Sequence, residues 1–139
     1  MNAVDTNVII YAHDNNEPVK QAKARHLLNQ LVGSSPATWL LWQVLGEFLQ
    51  QLRRWKAIGD ITEIELLQNL QAIRTKFPLR LPTAIVLDHA LDLADRYSLS
   101  HWDSMLLGAC VEAGVTTLFT EDMGAPRTID NIQPVNPLV

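Results

Sequence analysis

Asn2-Ala3-Val4-Asp5-Thr6-Asn7-Val8-Ile9-Ile10-Tyr11-Ala12 is the stretch on which the fold turns. Asn2 to Asp5 reads as a short buried strand, and Asn7 to Ala12 as a turn into a first helix. A strand that feeds directly into a helix is the beginning of an α/β unit, provided the alternation continues. The acid at the end of the strand stands at the edge where α/β sheets collect their ligands.

The alternation does continue. Pro18 to Val32 carries Ala24, Leu27, Leu28 and Leu31 on one helical face, with Pro18 suited to a helix start and Gly33 to its end. After the loop Ser34-Ser35-Pro36, Ala37 to Leu40 reads as a second strand and Gln43 to Trp55 as a helix. Thr62-Glu63-Ile64-Glu65 has capping-box spacing, and Leu66, Leu70, Ile73 and Phe77 extend a helical stripe behind it. The segment Phe77-Pro78-Leu79-Arg80-Leu81-Pro82 breaks that helix. Thr83 to Val86 then predicts a short third strand before a helix from Leu87 to Tyr97. Trp102 to Ala113 is the next helix, closed by Gly114. Val115 to Phe119 reads as a buried strand by its β-branched and aromatic content, and Ile132 to Val135 as an edge strand ending at Pro137. Strands alternating with helices predict a parallel sheet covered on both faces. No repeat, low-complexity tract or linker divides residues 1–139, which read as a single domain.

Composition narrows the function classes. A chain of 139 residues, 47% apolar, can bury a core without disulfides or structural metal. No apolar run approaches the roughly 18 residues that span a bilayer, so no membrane partner is expected. Met1 to Asp5 runs straight into apolar sequence without a basic region or cleavage site, which predicts a cytoplasmic protein. Cys110 is the only cysteine, which excludes a disulfide framework and a thiolate cluster; it reads as a small buried hydrophobe. The formal net charge of −4 lacks the footprint of a dedicated nucleic-acid binder. Nucleic acid as a substrate is still compatible with it, because cations bound to a carboxylate-rich pocket reverse its charge locally.

Four acids, Asp5, Glu47, Asp103 and Asp122, each lie where a predicted strand ends or a helix passes its mouth. Each also has an ordinary explanation. Asp5 can cap the helix that follows it. Glu47 can be a solvated residue at the edge of the stripe Leu41, Val44, Leu45, Phe48 and Leu52. Asp103 suits the positive end of a helix dipole, although Leu106, Leu107 and Cys110 share its face. Asp122 can be a turn residue. Their coincidence on the carboxyl-end side of one sheet favours a shared pocket, and clustered carboxylates suit a hard divalent cation such as Mg²⁺ or Mn²⁺.

The combination resembles a known family. Asp5-Thr6-Asn7-Val8-Ile9-Ile10-Tyr11-Ala12, Val44-Leu45-Gly46-Glu47-Phe48, His101-Trp102-Asp103-Ser104-Met105-Leu106-Leu107 and Leu118-Phe119-Thr120-Glu121-Asp122-Met123 are similar to segments of PIN-domain ribonucleases, in the same order. The resemblance extends over essentially the whole length and looks closest to VapC-like toxins of toxin–antitoxin pairs. It implies a three-layer α/β/α sandwich with a central parallel sheet, and endonucleolytic cleavage of RNA dependent on Mg²⁺ or Mn²⁺. It carries the catalytic and metal-binding roles onto Asp5, Glu47, Asp103 and Asp122, with Asn7 and Thr120 as supporting residues. It further implies a homodimer and a small antitoxin whose segment lies across the cleft.

Around these residues the expectations are plainer. Arg53, Arg54 and Lys56 form the one tight basic cluster, suited either to an RNA backbone or to the negative end of their own helix. The four histidines show no paired metal-ligand spacing. Tyr11 and Trp102 read as core, while Trp39, Trp42 and Trp55 flank one helix as a candidate interface. The rival to a nuclease is a PIN-like module that binds a partner without useful catalysis. A receiver-like domain lacks its downstream Lys, a haloacid-dehalogenase-type phosphatase would need Asp where Asn7 stands, and no Gly-rich phosphate loop follows any strand.

Overall fold

Five parallel strands, β1 (Asn2–Val4), β2 (Thr38–Leu41), β3 (Leu79–Arg80), β4 (Thr117–Phe119) and β5 (Gln133–Val135), pair in the order β3-β2-β1-β4-β5. The computed structural model describes residues 1–123 and 127–139. β1 takes the centre because it carries no exposed side chain: Ala3 and Val4 are buried, and Leu118 of β4, the register partner of Ala3, is fully so. The outermost strand β5 tolerates Pro134, opposite Leu118, because a proline's missing N–H costs nothing on an edge that faces no further strand.

Among the described residues six helices connect these strands: α1 (Thr6–Tyr11), α2 (Pro18–Leu31), α3 (Trp42–Ala57), α4 (Glu63–Lys76), α5 (Ile85–Tyr97) and α6 (His101–Glu112). The steps from β1 to β2 to β3 run outward in one direction, so right-handed crossovers lay α1 to α4 on one face. The return from β3 to β4 carries α5 and α6 over the other. Packing agrees, with α1 against α2 and α3, α3 against α4, and α5 against α6. The result is an α/β/α sandwich around a parallel sheet. Strand order reverses between β1 and β4, and there the carboxyl ends of an open sheet leave a crevice.

Local chemistry sets the helix ends. At α4 both arms of the capping box form, Thr62 Oγ1 accepting from Glu65 N–H and Glu65 Oε1 accepting from Thr62 N–H, each at 3.1 Å. Gly114, at φ +72°, takes the left-handed conformation that ends the α6 region and turns the chain toward β4. On α3, Val44, Leu45, Phe48 and Leu52 are buried. The opposite stripe is polar.

Gly108 lets α6 lie close on α5. A Cβ there would stand 2.8 Å from Val86 O and 3.0 Å from Ala90 N, and both are backbone atoms that cannot swing aside. The position of α6 over the sheet therefore depends on a missing side chain.

One element differs from the expectation. The third strand is Leu79–Arg80, inside the segment read as a break, and not Thr83–Val86. Leu79 and Arg80 pair with Leu40 and Leu41, so a neighbouring strand extends them rather than any pattern of their own. Ile85 and Val86 open α5 instead, because Val86, Ala90 and Leu93 recur at helical spacing and are buried together. No helix among the described residues is long and apolar enough to cross a membrane.

Candidate active site

Asp5 leaves the end of β1 at the reversal of strand order and begins α1. Its Oδ1 accepts from the Thr6 N–H at 2.6 Å, which is the expected cap. Its Oδ2 does something a cap does not require, accepting from the Thr120 hydroxyl at 2.8 Å across to the end of β4. Burial pushes the Asp5 carboxyl up from 3.8 to about 6, opposed by the hydrogen bonds from Thr120 and Thr6 and reinforced by the negative charges of Glu47 and Asp122.

Thr120 is buried and serves two partners, since the oxygen that donates to Asp5 also accepts from the Asp122 N–H at 3.2 Å. Asn7, in the first turn of α1, donates from Nδ2 to Asp122 Oδ2 at 3.0 Å and accepts from the Glu121 N–H at 3.4 Å. The segment 120–122 is thus held to the start of α1 by three hydrogen bonds made through side chains. Glu121 anchors it further, accepting from the Tyr11 hydroxyl at 2.9 Å and pairing with Lys20 at 2.7 Å. That pairing lowers the proton affinity of Glu121.

The other two acids arrive on helices. Asp103 lies in the first turn of α6, whose N-cap Ser100 accepts from the Asp103 N–H at 3.4 Å. Glu47 projects from the polar stripe of α3 and accepts from Gln43 Nε2 at 3.1 Å. The same Gln43 amide lies 3.2 Å from Trp102 O, so it links α3 to α6 beside Asp103.

Asp5, Asn7, Glu47, Asp103 and Asp122 all line one cavity of about 250 Å³, and Thr120 supports it from behind through Asp5. Among the described residues no three His, Cys, Asp or Glu side chains already stand around a single point as ligands, so the carboxylates share an open pocket rather than a closed cage. The acidic side chains suit a hard divalent cation: carboxylate oxygens, concentrated negative charge, and an Asp5 carboxyl whose proton affinity is raised by burial. His13 packs on Phe48 with its proton affinity lowered by burial, away from this lining, and Cys110 is buried with its thiol pushed up.

Arg54, expected as part of a basic cluster, lines the cavity too, and so do Gln43, Gln50 and Gln51, which the sequence did not single out. Their signal was the spacing from Glu47, which sets all four on one face of α3. Arg54 brings a positive charge to the rim, whereas Lys56 of the same cluster is paired with Glu63. Trp102 departs from its expectation. It is 63% exposed, because the α6 stripe that buries Leu106, Leu107 and Cys110 turns the residue before Asp103 outward.

A family model described as PIN domain matches residues 3–130. Among solved structures, the chain is similar to a toxin–antitoxin complex from Klebsiella pneumoniae, with TM-score 0.72 and 14% identity over 99% of this chain and 98% of that one. It is similar also to VapBC2 from Rickettsia felis, with TM-score 0.70 and 14% identity over 97% of each chain. A third is VapC20 of Mycobacterium tuberculosis, a sarcin–ricin-loop-cleaving toxin, with TM-score 0.67 and 18% identity over 96% of this chain and 100% of that one. At such identities the likeness bears on the fold alone. No curated protein matches the sequence.

Proposed function

The chain belongs to the PIN domain family, and on that premise we propose that it is a Mg²⁺- or Mn²⁺-dependent endoribonuclease, working as a single domain in the cytoplasm and as the toxin of a toxin–antitoxin pair. The observation that supports this most is the convergence of Asp5, Glu47, Asp103 and Asp122, from four separate segments, on one cavity at the reversal of strand order. The toxin assignment draws on the solved relatives, which include two toxin–antitoxin assemblies and an RNA-cleaving toxin. In this reading the partners are RNA, a cognate antitoxin and a second copy of the chain.

Asp5, Glu47, Asp103 and Asp122 would hold the cation. When bound, it supplies an activated water and compensates the charge that develops on the phosphoryl oxygens. The protein's own residues then have distinct tasks. Thr120 and the Thr6 N–H fix both oxygens of Asp5, so the carboxylate is oriented before any ligand arrives. Asn7 does the same for Asp122, and Gln43 for Glu47. Arg54, at the cavity rim, offers a positive charge to an incoming phosphate that four carboxylates would otherwise repel.

The deciding experiment is cleavage of a defined panel of RNAs by purified protein with Mn²⁺, with EDTA, and with the Asp103→Asn variant as the contamination control. Metal-dependent cutting that disappears in the variant supports the nuclease. Absence of both cutting and metal binding would replace it with a module that binds a partner without catalysis.

A further inference from the structure

Beside the acid cavity lies a larger one of about 740 Å³, and the two share Gln43, Glu47, Gln50 and Trp102. Its lining differs in kind. Leu41, Val86, Met105 and Ala109 form an apolar floor, and the indoles of Trp42 and Trp102 stand in its wall, 54% and 63% exposed. Tryptophan is seldom left so open, because its large apolar face is costly to hydrate. Here two of them border the same cavity from different helices, one opening α3 and one in the first turn of α6. His101 packs edge-on against Trp102 with ring centroids 4.6 Å apart, which steadies the indole without covering it.

We infer that this cavity is a base-stacking subsite, taking an unpaired nucleotide next to the phosphate that the acid cavity receives. The inference rests on the nuclease reading and assigns Trp42 and Trp102 to the nucleotide beside the phosphate to be cut. Three features select a nucleotide over other occupants. The cavity is continuous with the acid pocket through Glu47, so a chain whose phosphate sits at the carboxylates has its neighbouring base at the indoles. Exposed aromatic faces hold bases by stacking, irrespective of sequence. Arg53 also borders the cavity and offers a cation to the next phosphate of a strand. Arg80 contributes less charge, because Glu112 pairs with it at 2.8 Å. An A-form duplex keeps its base faces stacked internally and cannot use such a wall.

The test measures binding of a short fluorescently labelled RNA of mixed sequence, in Ca²⁺ and with RNA integrity checked, presented single-stranded, as a duplex, or with one abasic site. Wild-type protein should bind the single strand at least tenfold more tightly than the duplex. Trp102→Ala and Trp42→Ala should each weaken single-strand binding roughly tenfold, and Trp102→Phe should restore most of the loss by replacing the ring. The abasic site should cost about as much as Trp102→Ala and add little to it. Equal binding of single strand and duplex, or unchanged affinity in both alanine variants, overturns the subsite; if Mn²⁺-dependent cleavage persists, the nuclease reading survives that failure. A shift to monomer on sedimentation in Trp42→Ala, with RNA affinity unchanged, would give the cavity to a second copy of the chain and likewise overturn it. No RNA binding together with no cleavage defeats the nuclease reading and this inference with it.

Discussion

The hydroxyl of Thr120 donates to Asp5 Oδ2 at 2.8 Å, joining residues 115 positions apart in sequence. Because the same oxygen accepts from the Asp122 N–H, one buried side chain sets two of the four acids. Thr120→Val keeps the shape and removes both bonds. The expected outcome is a fall of about tenfold to a hundredfold in Mn²⁺ affinity or in kcat/KM, as when the partner of a metal-binding carboxylate is removed. Calorimetric titration with Mn²⁺ and circular dichroism of the variant check the effect against a simple loss of fold.

The raised proton affinity of Asp5 has a signed consequence for the metal-free protein. Between pH 3.8 and about 6 the folded form holds a proton that the unfolded chain has released. The stability owed to Asp5 is therefore fully present below pH 3.8 and is lost as pH rises through about 6. The difference between wild type and Asp5→Asn in EDTA should shrink across that window by no more than about 3 kcal/mol, measured by urea unfolding at a series of pH values. Protons compete with the cation at the same oxygens, so Mn²⁺ affinity should rise with pH over the same interval.

Metal should stabilise as well as activate. A cation that neutralises carboxylates facing one cavity binds the folded state alone, and at a hundredfold excess over its dissociation constant it adds about 2.7 kcal/mol. Thermal melts with and without Mn²⁺ should show a rise in Tm that is absent in Asp5→Asn and Asp103→Asn, with both variants folded and inactive. An unchanged wild-type Tm counts against the site.

Gly108→Ala tests the packing that places Asp103. Alanine is favoured over glycine inside a helix by up to about 1 kcal/mol, which alone would raise stability. The new Cβ would meet Val86 O at 2.8 Å, so α5 and α6 must part. Overpacking of this kind costs about 1–3 kcal/mol, and the expected result is a lower Tm. A higher Tm would show that the helices separate freely.

Much of the architecture was readable because its signals are local. β1 and β4 are short apolar runs bounded by helical periods, and the Thr62 box marks the start of α4 within a residue. β3 was not, since two residues carry no period and Leu79–Arg80 are strand only through their pairing with β2. Ile85 and Val86 misled in the opposite sense, as β-branched residues whose helix is decided by the burial of Val86, Ala90 and Leu93. At the site, Asp5 and Asp122 were visible as acids at strand ends, and the structure sets them in one cavity with Glu47 and Asp103. The glutamines of α3 were overlooked because a polar stripe looks the same whether it faces solvent or a pocket. The exposure of Trp102 was hidden for a related reason: indoles are usually covered, and only the orientation of α6 shows that this one is not.

The strand order also constrains how the pocket comes into being. β4 pairs with β1 only after the chain has travelled out to β3 and back, so the acids of the first and last segments meet through contacts that are among the longest-range in the molecule. Such contacts form late, because the intervening loop must be closed before they are rewarded. A chain emerging from the ribosome would therefore carry no assembled pocket until residue 122 had cleared the exit. Two halves divided between β3 and α5 should each be inert, with any activity returning only when they reassociate.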